Sequence, residues 1–287
     1  MTLENANVLY CDDAMRVLAQ LEDGSIDAAV FDPPYPTISG GSNAKKDGKH
    51  SRPSGILEKN DGKIFAHNSI KPSVYLPEVY RVLREQAHCY LMTNAYNLID
   101  RDIIGEVKRA GFQIHNILPW RKSNAVTNRW YMKDVEYTLF ARKGKAFAIN
   151  DCGIRTSMTV TPNPLDDPAI WEEYGGFPYP LDWDNVSSPK SHPTEKPVNL
   201  MRTYIENSTQ PGETVLDPFC GTGATGVAAQ ELGRKFIGIE MGEEYFAKAA
   251  IRMNAQVQPC PGPSGGDDLD RWLGYVPAED IDSFLGI

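Results

Sequence analysis

The sequence predicts an α/β fold in which a mostly parallel sheet of seven strands is covered by helices on both faces. Short apolar runs alternate with segments whose apolar residues recur at helical spacing, and this alternation is typical of βαβ units. Two of the apolar runs end abruptly in a loop that carries a carboxylate. Parallel strands bring such ends to one edge of a sheet, where ligands of open α/β sheets bind.

The predicted elements follow one another through most of the chain. The strands are expected to begin at Asn7, Asp27, His88, Phe112, Val135, Thr214 and Lys235. Helices are expected over 14–21, 73–86, 97–110, from Pro197 onward, over 224–232 and over 243–254. Val79, Val82 and Leu83 share one face of the second helix. Gly111 supplies a stop for the third.

Composition divides the chain into four parts. Residues 1–149 carry the first strands and contain a long, basic, aperiodic loop over 36–68, which we expect to be a lid or disordered. Residues 150–190 are rich in proline with little periodicity, and are predicted to form an inserted irregular lobe. Residues 191–257 complete the α/β domain with a glycine-rich loop, and residues 258–287 form an acidic tail.

The formal net charge of −9 argues against a protein that simply coats nucleic acid. The charge is uneven, however, because residues 108–145 hold nine Lys or Arg residues against two acids, Asp134 and Glu136. One face could therefore bind a polyanion. Trp120 and Arg121 open a mixed aromatic and basic segment, which suits phosphate contacts and base stacking. A surface loop with a buried tryptophan fits the same residues.

The cysteines indicate a reducing compartment. They are five in number, hence odd, and contain no C-x-x-C pair, which argues against a disulfide framework or a zinc site. No signal peptide is evident and no apolar run is long enough to span a bilayer. We therefore expect a cytoplasmic protein with neither a metal nor a membrane partner.

The first carboxylate motif follows the apolar run 27–31. Asp32 precedes Pro33 and Pro34, which cannot continue a strand because they lack a backbone N–H, and Tyr35 follows them. The Asp32 carboxylate and a nearby backbone carbonyl suit an amino group that donates two hydrogens, and the Tyr35 ring suits a stacked base. An exocyclic amine of a nucleobase fits this arrangement. An ordinary strand-terminating Pro-Pro turn is the alternative.

The second carboxylate motif begins at Asp217 and continues through Phe219 into glycines spaced G-x-G-x-x-G, with Gly221 and Gly223 as the first two. Glu240 ends the next strand, where a ribose acceptor is expected. Alone, this spacing suggests a dinucleotide. A pyrophosphate at the helix N-terminus would, however, meet the Asp217 carboxylate at close range. The cationic, phosphate-free S-adenosylmethionine would be attracted instead, with Phe219 packed against it.

In their order, these motifs resemble the amino-directed DNA methyltransferases of the β arrangement, which act on adenine N6 or cytosine N4. The Asp-Pro-Pro-Tyr-type motif comes first and the glycine loop last, a circularly permuted order with a recognition lobe between them. The stretch His-Pro-Thr-Glu-Lys-Pro over 192–197 matches the family's cofactor-side motif, with Glu195 where the family usually has Gln. Asp13 matches the acid near the cofactor's adenine. The resemblance covers residues 7–254.

The resemblance implies a Rossmann-like methyltransferase that uses S-adenosylmethionine on a flipped-out adenine of double-stranded DNA, often as a homodimer. The implied catalytic residues are Asp32, Pro33, Pro34 and Tyr35, and the implied cofactor-binding residues are Asp13, Asp32, Lys196, Asp217, Phe219, Gly221, Gly223 and Glu240. Asp at the first catalytic position favours adenine, because cytosine-N4 members more often carry Ser there. Cytosine-N4 methylation is one alternative, and a binding protein that keeps the fold without turnover is another.

Overall fold

The computed structural model describes the chain in several ranges. These are residues 7–34, 37–39, 57–59, 70–126, 133–154, 156, 158–159, 196–253 and 255–258. Outside the described residues lie Tyr35, most of the basic loop 36–68, most of the predicted lobe 150–190, residues 191–195 and residues 259–287 of the acidic tail. The expectations for those parts remain predictions.

Strands and helices alternate within the described ranges. The strands are β1 Asn7–Tyr10, β2 Ile26–Phe31, β3 Thr37–Ser39, β4 Leu57–Lys59, β5 Leu83–Thr93, β6 Gln113–Val126, β7 Lys133–Arg142, β8 Met158–Thr159, β9 Thr214–Asp217, β10 Lys235–Ile239 and β11 Gln256–Gln258. The helices are α1 Ala14–Leu18, α2 Pro72–Val82, α3 Ala95–Asp100, α4 Ile103–Arg109, α5 Val198–Ser208, α6 Ala224–Glu231 and α7 Glu243–Met253.

Nine of the strands form one sheet, in the order β11–β1–β10–β9–β2–β5–β7–β6–β8, while β3 pairs with β4 apart from it. All seven predicted strands belong to this sheet, and the short β11 and β8 extend it at its edges. β1, β10, β9, β2 and β5 run parallel, whereas β7 is antiparallel to β5 and β6 is antiparallel to β7. The predicted mostly parallel sheet is confirmed.

Helices cover both faces of the sheet, as the sequence predicts. α5, α6 and α7 pack on one face, which receives Val30, Tyr90 and Phe140 from the strands. α1, α2 and α4 pack on the other face, which receives Phe31 and Leu91. Because consecutive strand residues point to opposite faces and both faces are buried, β2 reads as a continuous apolar run rather than as an alternating one.

The second predicted helix ends earlier than its periodicity indicates. α2 stops at Val82 instead of Gln86, and the chain enters β5 at Leu83, whose ψ of 138° is extended. The Lys143 ammonium donates hydrogen bonds to the Arg81 and Leu83 carbonyls at 3.3 and 2.7 Å. A helix end leaves such carbonyls without partners, so this lysine from the end of the β7 hairpin stabilises the early stop.

The predicted helix over 97–110 is divided into α3 and α4. Asp102 has a φ of 49°, in the left-handed region, and its carboxylate accepts a hydrogen bond from the Gly105 N–H at 3.2 Å. Asp102 therefore caps α4, and aspartate is one of the few residues that tolerate this backbone conformation. The first helix is also shorter than predicted, because it ends at Leu18 rather than Leu21.

The expectations from composition have mixed outcomes. Cys89, Cys152 and Cys220 are free thiols. Cys11, by contrast, is disulfide-bonded, which corrects the expectation of reduced cysteines there; an odd total requires only that one thiol stays unpaired. Among the described residues, no helix combines the length and the apolar character needed to cross a membrane.

Candidate active site

The predicted motifs meet at one edge of the sheet. The carboxyl ends of β1, β10, β9 and β2 lie side by side, because these strands are adjacent and parallel. From β9 the chain passes to β10 on one side, and from β2 it passes to β5 on the other, so the direction of winding reverses between β9 and β2. Ligands of open α/β sheets bind at such a reversal. Asp32 and the glycine loop flank it.

Asp32 lies directly after the last residue of β2. Phe31 before it is fully buried and Pro33 after it is also buried, while Asp32 keeps 18% of its side chain exposed. Tight packing on both sides fixes the backbone that carries the carboxylate, and Pro34 restricts the chain further. Tyr35 lies outside the described residues, so its stacking role remains a prediction.

Asp217 holds the glycine loop in shape. Its Oδ1 accepts a hydrogen bond from the Phe219 N–H at 3.0 Å, and its Oδ2 accepts one from the Thr225 hydroxyl at 2.7 Å. Asp217 is only 3% exposed, so its carboxylate lies beneath the loop. Burial raises the pKa of Asp217 to about 7, since the two hydrogen bonds only partly offset the desolvation and nearby carboxylates add to it. Asp217 therefore contributes to a cofactor site indirectly, because it holds the glycine loop in position.

Phe219 ties the loop to the catalytic strand. Its ring centroid lies 6.2 Å from that of Phe31 and 5.1 Å from that of Tyr75 on α2. Phe31 and Tyr75 are themselves packed edge to face, with centroids 6.1 Å apart. The three rings form one aromatic cluster, which sets the position of the glycine loop relative to β2. The contact of Phe219 with a cofactor, expected from the sequence, remains a prediction.

Glu240 clamps the glycine loop from the neighbouring strand. Its Oε2 accepts a hydrogen bond from the Gly221 N–H at 3.0 Å, and its Oε1 accepts one from the Gly242 N–H at 2.7 Å. Burial raises the pKa of Glu240 despite these bonds. Each carboxylate oxygen offers two lone pairs, so Glu240 can accept ribose hydroxyls while it holds the loop.

Gly223 occupies the N-cap position of α6, where a side chain would be strained. Its φ of 82° lies in the left-handed region, and a Cβ would lie 2.9 Å from Met253 Sδ and 3.2 Å from Ala249 Cβ. The glycine thus allows α6 to pack on α7 while the backbone turns into the helix. The absence of a side chain also leaves the helix N-terminus open to a ligand.

Asp13 lies at the end of β1, next to the strand that carries Glu240. The Tyr10 carbonyl accepts a hydrogen bond from the Glu240 N–H at 3.0 Å, which ties the two strand ends together. The Asp13 carboxylate accepts one from the Met15 N–H at 2.8 Å. Asp13 is therefore the N-cap of α1, and it borders the same sheet edge as the other predicted site residues.

Lys196 links Asp32 to a residue that sequence reasoning missed. Its ammonium forms an ion pair with Asp32 Oδ2 and lies 3.5 Å from Glu136 Oε2. Burial by itself lowers the pKa of Lys196, but the two carboxylates outweigh burial and leave that pKa above its ordinary value. Lys196 therefore stays an ammonium. The only sequence signal for Glu136 was its rarity as an acid within the basic stretch 108–145.

Trp120 is not available for base stacking. It is 3% exposed and lies in the core on the α5 face. The tryptophan is buried, as the alternative expected, but it belongs to β6 and not to a surface loop. Apolar burial of the indole ring outweighs the polar character of its sequence neighbours. Arg121 beside it is 62% exposed and pairs with Asp134 at 3.0 Å across the β6–β7 hairpin.

Cys220 has no nucleophilic role in this site. It is 7% exposed, and burial raises the pKa of its thiol well above the ordinary value. The thiolate is the nucleophilic form of cysteine, so a thiol held protonated acts as a packing group.

The residues at this edge fit S-adenosylmethionine better than a dinucleotide. Asp13, Asp32 and Glu240 place carboxylates along the crevice, with Asp217 beneath the loop. Such a set attracts the sulfonium and ammonium of that cofactor and repels a pyrophosphate. Lys196 does not reverse this balance, because its charge is shared between two carboxylates.

Comparison with known proteins identifies relatives for this chain. The sequence profile of the DNA methylase family, of the N6 and N4 class, matches residues 26–251. The type II methyltransferase M2.MboI of Moraxella bovis is 28% identical over 261 residues, which span 89% of this chain and 90% of that protein.

Solved structures share the fold. The crystal structure of the M1.HpyAVI–SAM complex has a TM-score of 0.58 at 22% identity and covers 86% of this chain and 99% of that chain. The cytosine-N4-specific PvuII DNA methyltransferase has a TM-score of 0.59 at 16% identity and covers 98% of this chain and 93% of that one. At these identities the likeness concerns the fold alone.

Proposed function

Because this chain belongs to the DNA methylase family and is therefore an S-adenosylmethionine-dependent DNA methyltransferase, we propose that its target is the N6 amino group of adenine in double-stranded DNA. The observation that most supports transfer to an amino group is the placement of Asp32 and the glycine loop after neighbouring strands, β2 and β9, at the same sheet edge; the choice of adenine rests on Asp at position 32. A carboxylate that grips an amine and a cradle for a methyl donor then face one crevice.

Asp32 makes the target amine reactive. The adenine amino nitrogen is a poor nucleophile, because its lone pair is delocalised into the ring. The Asp32 carboxylate and the Pro33 carbonyl accept its two hydrogens, which favours a tetrahedral nitrogen with its lone pair directed at the methyl group. S-adenosylmethionine supplies that methyl group on a positively charged sulfur. As the N–C bond forms, the bond between sulfur and that methyl carbon breaks, and its electron pair stays on sulfur, which leaves as the neutral thioether S-adenosylhomocysteine. One amine hydrogen leaves as a proton toward the Asp32 carboxylate.

The remaining predicted residues hold the donor. Glu240 receives the ribose hydroxyls, Asp13 lies on the adenine side, and Gly221 and Gly223 let the backbone approach closely. Asp217 acts beneath the loop, since both of its oxygens bond loop residues. Phe219 and Lys196 complete the set that we assign to the cofactor side.

The target base must leave the duplex before it can reach Asp32. Unstacking and unpairing cost a few kcal/mol, which we expect contacts between basic residues and phosphates to offset. DNA binding should therefore weaken steeply with salt. We assign these contacts to the loop 36–68 and target recognition to the lobe 150–190, both mostly outside the described residues. We further propose a homodimer, which analytical ultracentrifugation would distinguish from a monomer.

The role of Asp32 is tested by Asp32→Ala. Methyl transfer should fall by at least about a hundredfold, while S-adenosylmethionine binding stays measurable by calorimetry. Asp27→Ala is the matched control, because Asp27 lies at the other end of β2 with 22% of its side chain exposed, against 18% for Asp32, and pairs with Arg84 at 2.7 Å. Unchanged methyl transfer in Asp32→Ala would refute the assignment.

The target base is tested by product analysis. DNA that was incubated with the protein and labelled S-adenosylmethionine is digested to nucleosides, and the labelled nucleoside is identified. N6-methyladenine is expected. Labelled N4-methylcytosine would show that the target is the N4 amino group of cytosine instead. A protein that binds the cofactor but labels no DNA would be a binding protein without methyl transfer.

A further inference from the structure

The buried ammonium of Lys196 joins two carboxylates that are far apart in sequence. It pairs with Asp32 Oδ2, across 164 positions of sequence, and lies 3.5 Å from Glu136 Oε2. The Lys196 side chain is 11% exposed, whereas those of Asp32 and Glu136 are 18% and 28% exposed. Lys196 directly precedes Pro197, the N-cap of α5, so the helix that covers this face also places the ammonium.

The strand register puts both carboxylates on the same face of the sheet. Phe31 is level with Leu91 of β5, which is level with Leu139 of β7. One position further along, Met92 of β5 is level with Thr138, Asp32 directly follows Phe31, and Glu136 is two residues from Thr138 on the same strand. Residues two apart on a strand share a face. α5 lies over that face, because the Tyr204 hydroxyl donates to Thr138 Oγ1 at 3.1 Å.

The surroundings make these charges interact strongly. Trp120, directly opposite Glu136 on β6, is 3% exposed and forms an apolar wall beside the pair. Water is thereby kept from one side, so Coulomb interactions are screened less than at the surface. Burial, and to a smaller extent the negative charge of Asp32, raises the pKa of Asp217 and that of the buried Tyr75 phenol. Lys196 is a counter-charge that the described part of the chain gives Asp32.

The division of one ammonium between two carboxylates affects how Asp32 can act. A lysine that pairs with Asp32 alone would neutralise it and would be free to rotate about a flexible four-carbon stem. A second carboxylate limits both effects, because it fixes the ammonium from the other side and takes part of its charge. Asp32 then remains a strong acceptor, with Oδ2 fixed by Lys196.

We infer that Glu136 is a positioning residue for methyl transfer, which acts through Lys196 to fix the orientation of Asp32 and to preserve its strength as a hydrogen-bond acceptor. This inference rests on the proposed catalytic role of Asp32. Glu136 is not among the residues that we assign to the target base or to the methyl donor. Its removal should therefore slow the transfer step far more than it weakens cofactor binding.

The test compares Glu136→Gln with a matched control, Glu213→Gln. Glu213 lies before β9 at the opposite sheet edge, where its side chain is 29% exposed and 3.4 Å from Arg84 Nη2, against 28% and 3.5 Å for Glu136. In single turnovers with saturating DNA and S-adenosylmethionine, Glu136→Gln should be about tenfold slower than the wild type. Its dissociation constant for S-adenosylmethionine should stay within about twofold, and Glu213→Gln should match the wild type in both measurements.

Two further variants separate positioning from general damage. Glu136→Asp keeps the charge and should recover part of the lost rate. Glu136→Gln combined with Lys196→Met should be no slower than Lys196→Met alone, because a residue that acts through another has no effect once that residue is gone. Rate losses that multiply in the double variant would overturn the inference. So would a loss that appears in the dissociation constant, or a Glu136→Gln rate equal to that of Glu213→Gln.

The two proposals fail in different ways. Substantial activity in Asp32→Ala would remove the catalytic assignment itself, whatever Glu136 does. An inactive Asp32→Ala together with a fully active Glu136→Gln would remove only the positioning role.

Discussion

Asp217→Asn should change how the stability of this protein depends on pH. Burial raises the pKa of Asp217 to about 7 in the folded state, from an ordinary value of 3.8. Between these values the folded protein holds a proton that the unfolded chain has released. The contribution of Asp217 to the free energy of unfolding is therefore fully present below pH 3.8, and it is lost as pH rises through 7. Asparagine has no such proton; its Oδ1 can accept from the Phe219 N–H, while its Nδ2 donates to the Thr225 hydroxyl oxygen instead of accepting from it.

The magnitude follows from the same two values. A pKa difference of one unit corresponds to about 1.36 kcal/mol, so from pH 5 to pH 7 the wild type should lose roughly 2 kcal/mol relative to Asp217→Asn. The comparison uses the difference between the two proteins. Other titrating groups, such as the buried His88, are present in both and cancel.

Urea unfolding followed by circular dichroism at pH 5, 6 and 7 measures this difference. The control is Asp27→Asn, at the amino end of β2, where the carboxylate pairs with Arg84 at 2.7 Å and accepts the Thr214 N–H at 2.8 Å. That variant loses an ion pair and should not reproduce the slope. A difference between wild type and Asp217→Asn that stays constant from pH 5 to pH 7 would refute the reasoning, because it would mean that burial does not hold a proton on Asp217.

Two other variants test local features. Gly223→Ala should lower the free energy of unfolding by about 1–3 kcal/mol, because the left-handed backbone disfavours alanine and its Cβ would lie 2.9 Å from Met253 Sδ. Urea unfolding measures this loss. Calorimetry should also show weaker S-adenosylmethionine binding by the variant. His88→Gln should flatten the loss of stability in acid. Burial lowers the pKa of His88, which bonds Ser208 Oγ at 2.8 Å and the Phe147 carbonyl at 3.2 Å, so its contribution is present above the ordinary pKa of 6.5 and lost as pH falls below it. Thermal melting between pH 5 and pH 8 measures that flattening, and parallel curves for the two proteins would contradict it.

Local sequence patterns predicted most of the fold but not the limits of its helices. All seven strands were found because each contains a short apolar run, although β6 continues beyond its apolar run to Val126. α2 ends at Val82 because Lys143, from another part of the chain, bonds the carbonyls at its end. The α3–α4 break depends on the backbone of Asp102, whose φ of 49° no periodicity reveals. Helical spacing continues through both sites, so the pattern alone could not locate them.

The sequence by itself determined the two motifs and the sheet edge at which they meet. Asp32 with its prolines and the glycine loop from Asp217 are contiguous segments that end strands, and parallel strands place such ends together. Only the tertiary structure decided that Lys196 bridges Asp32 and Glu136, and that Trp120 is buried. Those contacts join residues from separate strands and a helix, and the register and packing that bring them together are set by the whole core rather than by any one segment.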